Sequence, residues 1–560
     1  MEKHWLAHYP KEVPHSLHYS GTSLSDMLAN TARELPNKPA ITFLGTRITF
    51  KRLDEMVNRM AHALLDFGVK PGDKVAMLMP NMPQMVIATY ACWRIGAVVV
   101  MNNPLYSDRE LEHNFNDSQA VILITLDLLA PRMLALKTRT SIKKIIIAHI
   151  RDHLSFPKKQ LLPFIARDKH KYIQPAPGIH EWDDLLKQYP ATDPGLAVSP
   201  DSIATLQYTG GTTGVSKAAM LTHANLYSNA QQMKAWLHGL EKGSGSVLCA
   251  LPYFHSFGIL ACMNMGILQG WNQVLIPRPD IEAILKAVVQ YKITLFPAVP
   301  TLYTGVVNHP DIGKYNLSSI EASFSAGAPL PVDLIKRFEE LSGSQICEAY
   351  GLTEASPCVT VNPFKGLTKP GSVGIPLPDT EIKLVNPEDG ITGIPQGGEG
   401  EILVRGPQVM KGYYNRPDET AIALKDGWLH TGDVGRLDED GFLYIVDRIK
   451  DMIIASGYNI YPNEIDQVLF GHPKILEACA VGVPHEYRGE TVKAFIVVKQ
   501  GAVLTEEEVL EYCSANLAKY KIPKIIEFID ELPKSAVGKI LRKELRKMEL
   551  EKAHKKQPSV

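Results

Sequence analysis

Glycines and hydroxyl residues alternate in the stretch YTGGTTGVSK, residues 208–217, which ends in a lysine. Glycine lets backbone N–H groups converge on an anion, hydroxyls add hydrogen-bond donors, and an amine adds positive charge. Such groups bind phosphate, and the candidate ligands are Thr209, Gly210, Gly211, Thr212, Thr213, Gly214 and Lys217. The stretch is not a Walker A loop, because Ser216 precedes the lysine and Ala218 follows it.

A second group of reactive side chains lies in YGLTE, residues 350–354. Tyr350 offers a ring for stacking on adenine, Thr353 a donor to a phosphate, and Glu354 a carboxylate for the Mg²⁺ that accompanies ATP. Taken alone, the pentapeptide also fits a turn at the end of a strand with a solvated glutamate. The phosphate-binding stretch favours the nucleotide interpretation.

Two more stretches contain charged residues that could contact a bound nucleotide. Asp433 follows a Thr-Gly pair, where it could accept both ribose hydroxyls or simply belong to a β-turn. Arg448, fifteen residues later, could hold the same ribose or a phosphate. Lys539 follows Gly538 in the loop PKSAVGK, whose small residues would let the lysine enter a cleft. The alternative for Lys539 is an ordinary solvated lysine near the C-terminus.

In this order the stretches resemble the adenylate-forming enzymes, which comprise acyl-CoA synthetases, luciferases and the adenylation domains of peptide synthetases. The resemblance covers nearly the whole chain. DGWLHTGDVGRLDEDGFLYIVDRIKDMIIASGYNIYPNEI is similar to the fatty acyl-CoA synthetase signature, and WLAHYPKEVPHSL, LQYTGGTTG and ALPYFHSFG are similar to bacterial long-chain fatty acid–CoA ligases. The chain departs from the pattern at Ala218 and Ala349, where glycine is common, and at Ile454, where some relatives have lysine. None of these changes removes a group that the chemistry needs.

The resemblance implies a reaction in two halves. A fatty carboxylate attacks the α-phosphate of ATP to give acyl-AMP and pyrophosphate, and the CoA thiol then displaces AMP. Lys217 and the threonines would hold the β- and γ-phosphates, Glu354 would bind Mg²⁺, and Lys539 would bridge the carboxylate and the α-phosphate. The implied AMP-binding residues also include Gly327, Ala328, Tyr350, Gly351, Asp433 and Arg448.

The resemblance also implies an acyl site and a CoA site. The fatty acyl chain would pass His255, Gly258, Ala326 and Gly327, whose small residues leave room for a tunnel. His255 is a candidate catalytic residue as well, and its alternative role is that of a core histidine with a satisfied partner. Rotation of a small C-terminal domain about the hinge Lys450 would withdraw Lys539 and present Gly457 and Tyr458 to CoA.

Length and patterning predict the fold class. Helical and strand-like segments alternate over residues 23–148 and again from Ile203, which predicts parallel α/β architecture. We expect an α/β protein whose large N-terminal domain (1–449) holds doubly wound α/β subdomains plus a small β-barrel, followed by a mobile small α+β C-terminal domain (450–560). Residues 150–200 read as a surface insertion or linker, and Phe156–Ile165 reads as a surface helix or a peripheral membrane contact.

The composition of the chain indicates which kinds of molecule the protein is expected to bind and in which compartment. The formal net charge is −1, which does not favour nucleic acid. Seven scattered cysteines without CxxC spacing argue for a reducing compartment and against structural zinc, and no signal architecture opens the chain. We therefore expect a cytoplasmic enzyme with fatty acid, ATP and CoA as partners. Acyl chain length, a homodimer, membrane attachment and the metabolic pathway stay open.

Three rival functions use the same fold. The protein could load a carrier protein as an acyl-AMP ligase, activate an aryl acid, or regulate through nucleotide binding without catalysis. The presence of Lys539, Glu354 and Asp433 argues against the last. Separating the first two from a fatty acid–CoA ligase requires an assay.

Overall fold

The computed structural model describes residues 3–154, 159–160, 171–209, 216–455, 458–485, 489–535 and 538–556. Within these residues lie four β-sheets, of seven, nine, five and five strands. One hydrophobic core is shared by the two large sheets and buries Trp93, Trp236 and Trp271 completely, and each of these sheets also has a core of its own. The predicted α/β architecture is confirmed.

The seven-stranded sheet carries the segment that leads into the glycine-rich stretch. Its strands in spatial order are Ile179–Glu181, Lys144–Ala148, Ile122–Leu126, Lys74–Leu78, Val98–Met101, Ile203–Thr209 and Lys217–Thr222. All neighbours are parallel except the last two strands, which pair antiparallel with Thr209 opposite Lys217. Parallel neighbours require crossover connections, which the intervening helices provide.

The nine-stranded sheet carries most of the other candidate residues. Its strands in spatial order are Ile375–Pro376, Cys358–Val361, Ile346–Gly351, Ala322–Ser325, Leu295–Ala298, Ser246–Cys249, Asn272–Leu275, Pro39–Phe43 and Thr46–Thr49. The central strands are parallel, and antiparallel strands close both edges.

Helices cover both large sheets, and side chains cap the N-termini of several of them. The longer helices are Leu24–Glu34, Phe50–Asp66, Pro83–Arg94, Asp108–Ser118, Ala130–Lys137, Trp182–Gln188, His223–Trp236, Ile281–Tyr291, Pro300–Val307 and Val332–Ser342. Thr222 caps the helix His223–Trp236: its side chain accepts from the Asn225 N–H, and the Asn225 side chain accepts from the Thr222 N–H in a capping box.

Two smaller sheets complete the fold. An open antiparallel sheet, half of the expected barrel, contains Glu381–Val385, Glu399–Arg405, Trp428–Leu437 and Leu424–Lys425, with Leu443–Arg448 paired to Trp428–Leu437; the helix Pro417–Ala423 lies beside it. The C-terminal sheet contains Tyr458–Ile460, Ile453–Ala455, Gly489–Val498, Ile475–His485 and Ile525–Phe528. The helices Pro462–Phe470, Glu506–Asn516 and Arg542–Lys556 pack around it, as the expected α+β unit requires.

One expectation about the chain needs correction. The stretch 150–200 is not merely a linker, because Ile179–Glu181 extends the seven-stranded sheet and Trp182–Gln188 buries Trp182. The last helix runs from Arg542 to Lys556, so Lys539 precedes it. The segment 156–165 lies outside the described residues apart from 159–160.

Two further observations bear on the environment of the protein. All seven cysteines are buried and unpaired. Among the described residues, no helix combines the length and the apolar character needed to cross a membrane.

The departures from the family pattern are sterically harmless. Ala218 lies in an extended strand opposite Tyr208, and Ala349 lies in another opposite Val361. Extended backbone has negative φ, where alanine is as acceptable as glycine.

Candidate active site

The candidate residues meet where strands of the two large sheets end. Thr209 is the last residue of its strand, Ala322–Ser325 leads directly into Ala326, and Ile346–Gly351 leads into Glu354. Ligand sites of open α/β sheets occur at such carboxyl ends. The sheet topology therefore brings together residues as far apart in sequence as Thr209 and Glu354.

Asp433, Arg448 and Tyr350 form one cluster. The side chain of Asp433 is only 5% exposed, and its Oδ1 lies 2.9 Å from Arg448 Nε. The Tyr350 hydroxyl donates to Asp433 Oδ2 at 2.7 Å. Burial and the negative charge of Asp433 hold the pKa of Tyr350 well above its usual range, so Tyr350 stays a neutral donor. The three residues predicted to bind adenosine therefore lie in direct contact.

The backbone around Asp433 is held from both sides. Thr431 Oγ1 donates to the carbonyl of Ile402 at 2.7 Å and accepts from the Asp433 N–H at 3.1 Å. Glu401 accepts from the Gly432 N–H at 3.0 Å, and Gly432 has φ +69°, which favours glycine. Asp433 thus lies inside a strand, opposite Arg448, and the alternative of an ordinary turn aspartate is wrong.

Glu354 and Lys217 are joined by a residue that the sequence did not point to. The Tyr413 hydroxyl donates to Glu354 Oε1 at 2.8 Å, and Lys217 Nζ lies 5.0 Å from the centre of the Tyr413 ring. Lys217 also forms an ion pair with Glu419. The predicted phosphate-binding cation and the predicted magnesium-binding carboxylate therefore share one aromatic neighbour.

A short segment positions Tyr413. Residues 410–414 run beside the edge strand Lys217–Thr222: the Met220 N–H donates to the Gly412 carbonyl at 2.8 Å, and the Tyr414 N–H donates to the Ala218 carbonyl at 2.9 Å. Edge strands offer unpaired backbone groups, and here this segment satisfies them. The same pairing holds the Tyr413 ring beside Lys217.

Lys539 enters the site on a tight loop. The Ser535 N–H donates to the Lys539 carbonyl at 2.8 Å, and Gly538, with φ +73°, turns the chain. A Cβ at Gly538 would lie 2.5 Å from Thr301 Oγ1, so Gly538 rests directly on the helix Pro300–Val307 of the large domain. The C-terminal unit thereby places Lys539 in the cleft.

The charge of Lys539 is tuned by its surroundings. Although Lys539 retains exposed surface, burial of the amine in the cleft lowers its pKa to about 8, and the positive charge of Arg448 adds to the effect. A pKa of about 8 leaves most of the amine charged at pH 7. Burial, with a contribution from the Lys539 charge, lowers the pKa of His255 to about 4.

His255 is therefore neutral and close enough to Lys539 to sense its charge. The Phe257 N–H donates to His255 Nδ1 at 3.3 Å, which leaves Nε2 as the protonated nitrogen and as a donor. Next to it, Ser256 Oγ lies 3.3 Å from Thr353 Oγ1, so the two strand-end loops touch.

The residues predicted to line an acyl tunnel divide into two kinds. A Cβ at Gly258 would lie 2.1 Å from the Pro252 carbonyl oxygen, so this glycine serves close packing rather than opening space for a chain. At Gly327 the nearest atom to a Cβ would be Val299 Cγ1 at 3.7 Å, but φ is +91° and strains any side chain. Gly327 and Ala328 are exposed, and Ala326 is half-buried.

Parts of the predicted site lie outside the described residues. These are Gly210, Gly211, Thr212, Thr213, Gly214 and Gly457; the side chain of Tyr458 is not described either. At the border of the glycine-rich stretch, Ser216 Oγ donates to Asn114 Oδ1 at 3.0 Å.

The site also contains residues that sequence reasoning missed. They are Tyr413, Glu419, Asn114, Asp117 and Arg416. Three of them fall in GYYNRPDET, residues 412–420, whose aromatic and charged residues were the available signal.

Comparison with known proteins gives a consistent result. Residues 28–414 match the family described as AMP-binding enzyme, and residues 464–539 match the AMP-binding enzyme C-terminal domain. A long-chain-fatty-acid–CoA ligase of Bacillus subtilis (strain 168) is 44% identical, with 99% of each chain covered, and one of Yersinia pestis is 42% identical, with 98% of this chain and 99% of the relative covered. The crystal structure of an anthranilate CoA ligase in complex with anthranoyl-AMP superposes with a TM-score of 0.85 at 26% identity, covering 96% of this chain and 99% of the other.

Proposed function

Because this chain belongs to the AMP-binding enzyme family, we propose that its cleft converts long-chain fatty acids to acyl-CoA through an acyl-AMP intermediate, with release of AMP and pyrophosphate. The observation that carries this proposal is that Gly538 rests on the helix Pro300–Val307, with Lys539 near enough to the Asp433–Arg448 pair and to His255 for their charges to interact. Those groups supply a cation for the reacting oxygens and a carboxylate for the ribose.

In the first half-reaction the main barrier is electrostatic, because a carboxylate must approach the negatively charged α-phosphate of ATP. Lys539 is charged at neutral pH and is carried by a loop that reaches the cleft, so it can hold both the carboxylate and an α-phosphate oxygen. Asp433 accepts from the ribose hydroxyls while Arg448 and Tyr350 keep its two oxygens in place. Fixed charges of this kind stabilise the transition state without needing to reorganise.

The donor set fits one Mg²⁺ ion bound with the nucleotide. Mg²⁺ commonly takes one or two carboxylates, waters and substrate phosphates as ligands. Glu354 supplies one carboxylate, held by the Tyr413 hydroxyl, and the described residues contain no cluster of three or more acidic, histidine or cysteine side chains that would form an all-protein site. When bound, the ion neutralises phosphate charge.

Glu354→Gln should lower the rate of adenylation about a hundredfold, because it removes the anion and keeps the shape. Raising the Mg²⁺ concentration should restore part of the activity. The measurement is ATP–pyrophosphate exchange as a function of Mg²⁺. An unchanged magnesium dependence would show that Glu354 is structural.

The acyl chain is proposed to pass Ala326, between the end of its strand and the loop of Gly327. Ala326→Leu should shift preference toward shorter acids, because filling a site of this size costs about 1–3 kcal/mol, or roughly 5- to 150-fold in kcat/KM for a long acid. Ala326 tests this better than Gly327, whose positive φ would confound any substitution. Equal losses for C8 and C16 acids would contradict the tunnel assignment.

For the second half-reaction we propose that the C-terminal domain, residues 450–560, rotates about Lys450. The rotation would withdraw Lys539 and bring Gly457 and Tyr458 toward the CoA thiol. Two different loops of one small domain would then serve two reactions at one site. The seven buried, unpaired cysteines agree with the proposed cytoplasmic location.

The experiment that tests the function is AMP release with a panel of acids, each with and without CoA. We expect sustained turnover with C14–C18 fatty acids only when CoA is present. Preference for an aryl acid, or turnover with a carrier protein in place of CoA, would replace this function with one of its two relatives.

A further inference from the structure

The cation predicted to bind phosphate already has an anionic partner. Lys217 forms an ion pair with Glu419 from the helix Pro417–Ala423, and the two side chains are 24% and 36% exposed. The oxygen of Glu419 that meets the amine, Oε2, is shielded from solvent. An ion pair that is partly withdrawn from water is stronger than one on an open surface.

The neighbourhood keeps Glu419 at this position. The Tyr413 N–H donates to Thr420 Oγ1 at 2.9 Å, which ties the helix to the segment that runs beside Lys217. Arg416, one turn earlier, lies 3.1 Å from Asp117 of the helix Asp108–Ser118. These contacts hold the helix of Glu419 against the segment beside Lys217 and against the helix Asp108–Ser118, so Glu419 is kept close to the lysine.

A second cation, Arg416, lies near the Glu419 carboxylate. Arg416 Nε lies 3.9 Å from Glu419 Oε1, the oxygen that does not face Lys217. If an anion binds the Lys217 amine, Glu419 still has Arg416 as a charged partner and is not left unpaired. The pair Lys217–Glu419 can therefore open at a smaller cost than an isolated ion pair would.

We propose that Glu419 is a positioning residue for ATP, acting through Lys217: it holds the amine over the Tyr413 ring and competes with polyphosphate for it. A polyphosphate that binds here must share the Lys217 amine with the Glu419 carboxylate or displace the carboxylate from it. Glu419 thereby weakens the binding of ATP and of the pyrophosphate product at this site. This inference rests on the proposed role of Lys217 in phosphate binding.

The test compares Glu419→Gln with the wild type in pyrophosphate and ATP binding by calorimetry. The variant should bind pyrophosphate about fivefold more tightly, and pyrophosphate should inhibit its steady-state turnover about fivefold more strongly. The matched control is Asp418→Asn, which removes the same charge from an exposed neighbour that forms no ion pair within the described part of the chain. Both quantities should stay within twofold of the wild type in this control.

A double variant separates this inference from the proposed function. In the Lys217→Ala background, Glu419→Gln should no longer change pyrophosphate affinity. Unchanged or weaker pyrophosphate binding by the single variant Glu419→Gln would overturn the inference, as would an equal gain in Asp418→Asn. If Lys217→Ala alone leaves ATP affinity unchanged, the phosphate-binding role of Lys217 in the proposed function fails instead.

Discussion

Replacing Lys539 with alanine is expected to abolish acyl-AMP formation while sparing the conversion of supplied acyl-AMP and CoA to acyl-CoA. The amine lies in the cleft with its pKa lowered to about 8, still mostly charged at pH 7, whereas Lys534 of the same loop is paired with Glu477. Loss of one charge-stabilising group in an active site commonly costs about 10²–10³ in rate. The adenylation half-reaction should therefore fall by at least that factor.

Two assays on the same preparation measure the effect of Lys539→Ala. ATP–pyrophosphate exchange with a long-chain acid reports adenylation, and acyl-CoA formation from synthetic acyl-AMP reports thioester formation. Lys543→Ala, an exposed lysine of the following helix, is the control and should leave both rates near those of the wild type. Equal losses in both half-reactions for Lys539→Ala would mean that the residue holds the domain rather than the reacting groups.

Replacing Lys450 with proline should produce the opposite pattern. Lys450 lies in the single turn Ile449–Asp451, between the last strand of the large domain and the first strand of the C-terminal sheet. Proline fixes φ near −65°, which is compatible with a helical turn but prevents the dihedral from changing. The variant should form acyl-AMP and pyrophosphate and transfer the acyl group to CoA about a hundred times more slowly.

The comparison of Lys450→Pro with Lys450→Ala isolates the backbone effect. Alanine removes the side chain but leaves φ free, so it should retain most of the thioester-forming activity that proline removes. Arg546, which donates to the Lys450 carbonyl at 3.3 Å and pairs with Asp451, is present in both variants. A proline variant that fails in adenylation, as Lys539→Ala does, would contradict rotation about this residue.

The parts of the site that could be predicted depend on local chemistry. Thr222 caps its helix and Gly538 turns the lysine loop because the conformational preferences of these residues act within a few positions. Asp433 and Arg448 could be paired because both lie in one strand–turn–strand unit of about twenty residues. The α/β layout followed from the alternation of helical and strand-like segments.

The remaining parts depend on contacts between distant segments. Glu419 is about two hundred residues from Lys217, and they meet only because the segment 410–414 pairs with the free edge of the seven-stranded sheet. The sequence shows that Gly258 is small, which suggested a place in the acyl tunnel. It does not show that the Pro252 carbonyl lies too close to Gly258 for any side chain to fit. The strand Ile179–Glu181 was missed because three residues are too few to show a pattern.

A single turnover tests the proposed two-step reaction most directly. The protein is mixed with ATP, Mg²⁺ and less than one equivalent of hexadecanoic acid, without CoA, and the quenched mixture is analysed by mass spectrometry before and after CoA is added. We predict acyl-AMP and pyrophosphate close to the amount of acid supplied, followed by complete conversion to acyl-CoA and AMP. Formation of ADP in place of AMP, or accumulated acyl-AMP that did not react with CoA, would contradict the proposed reaction.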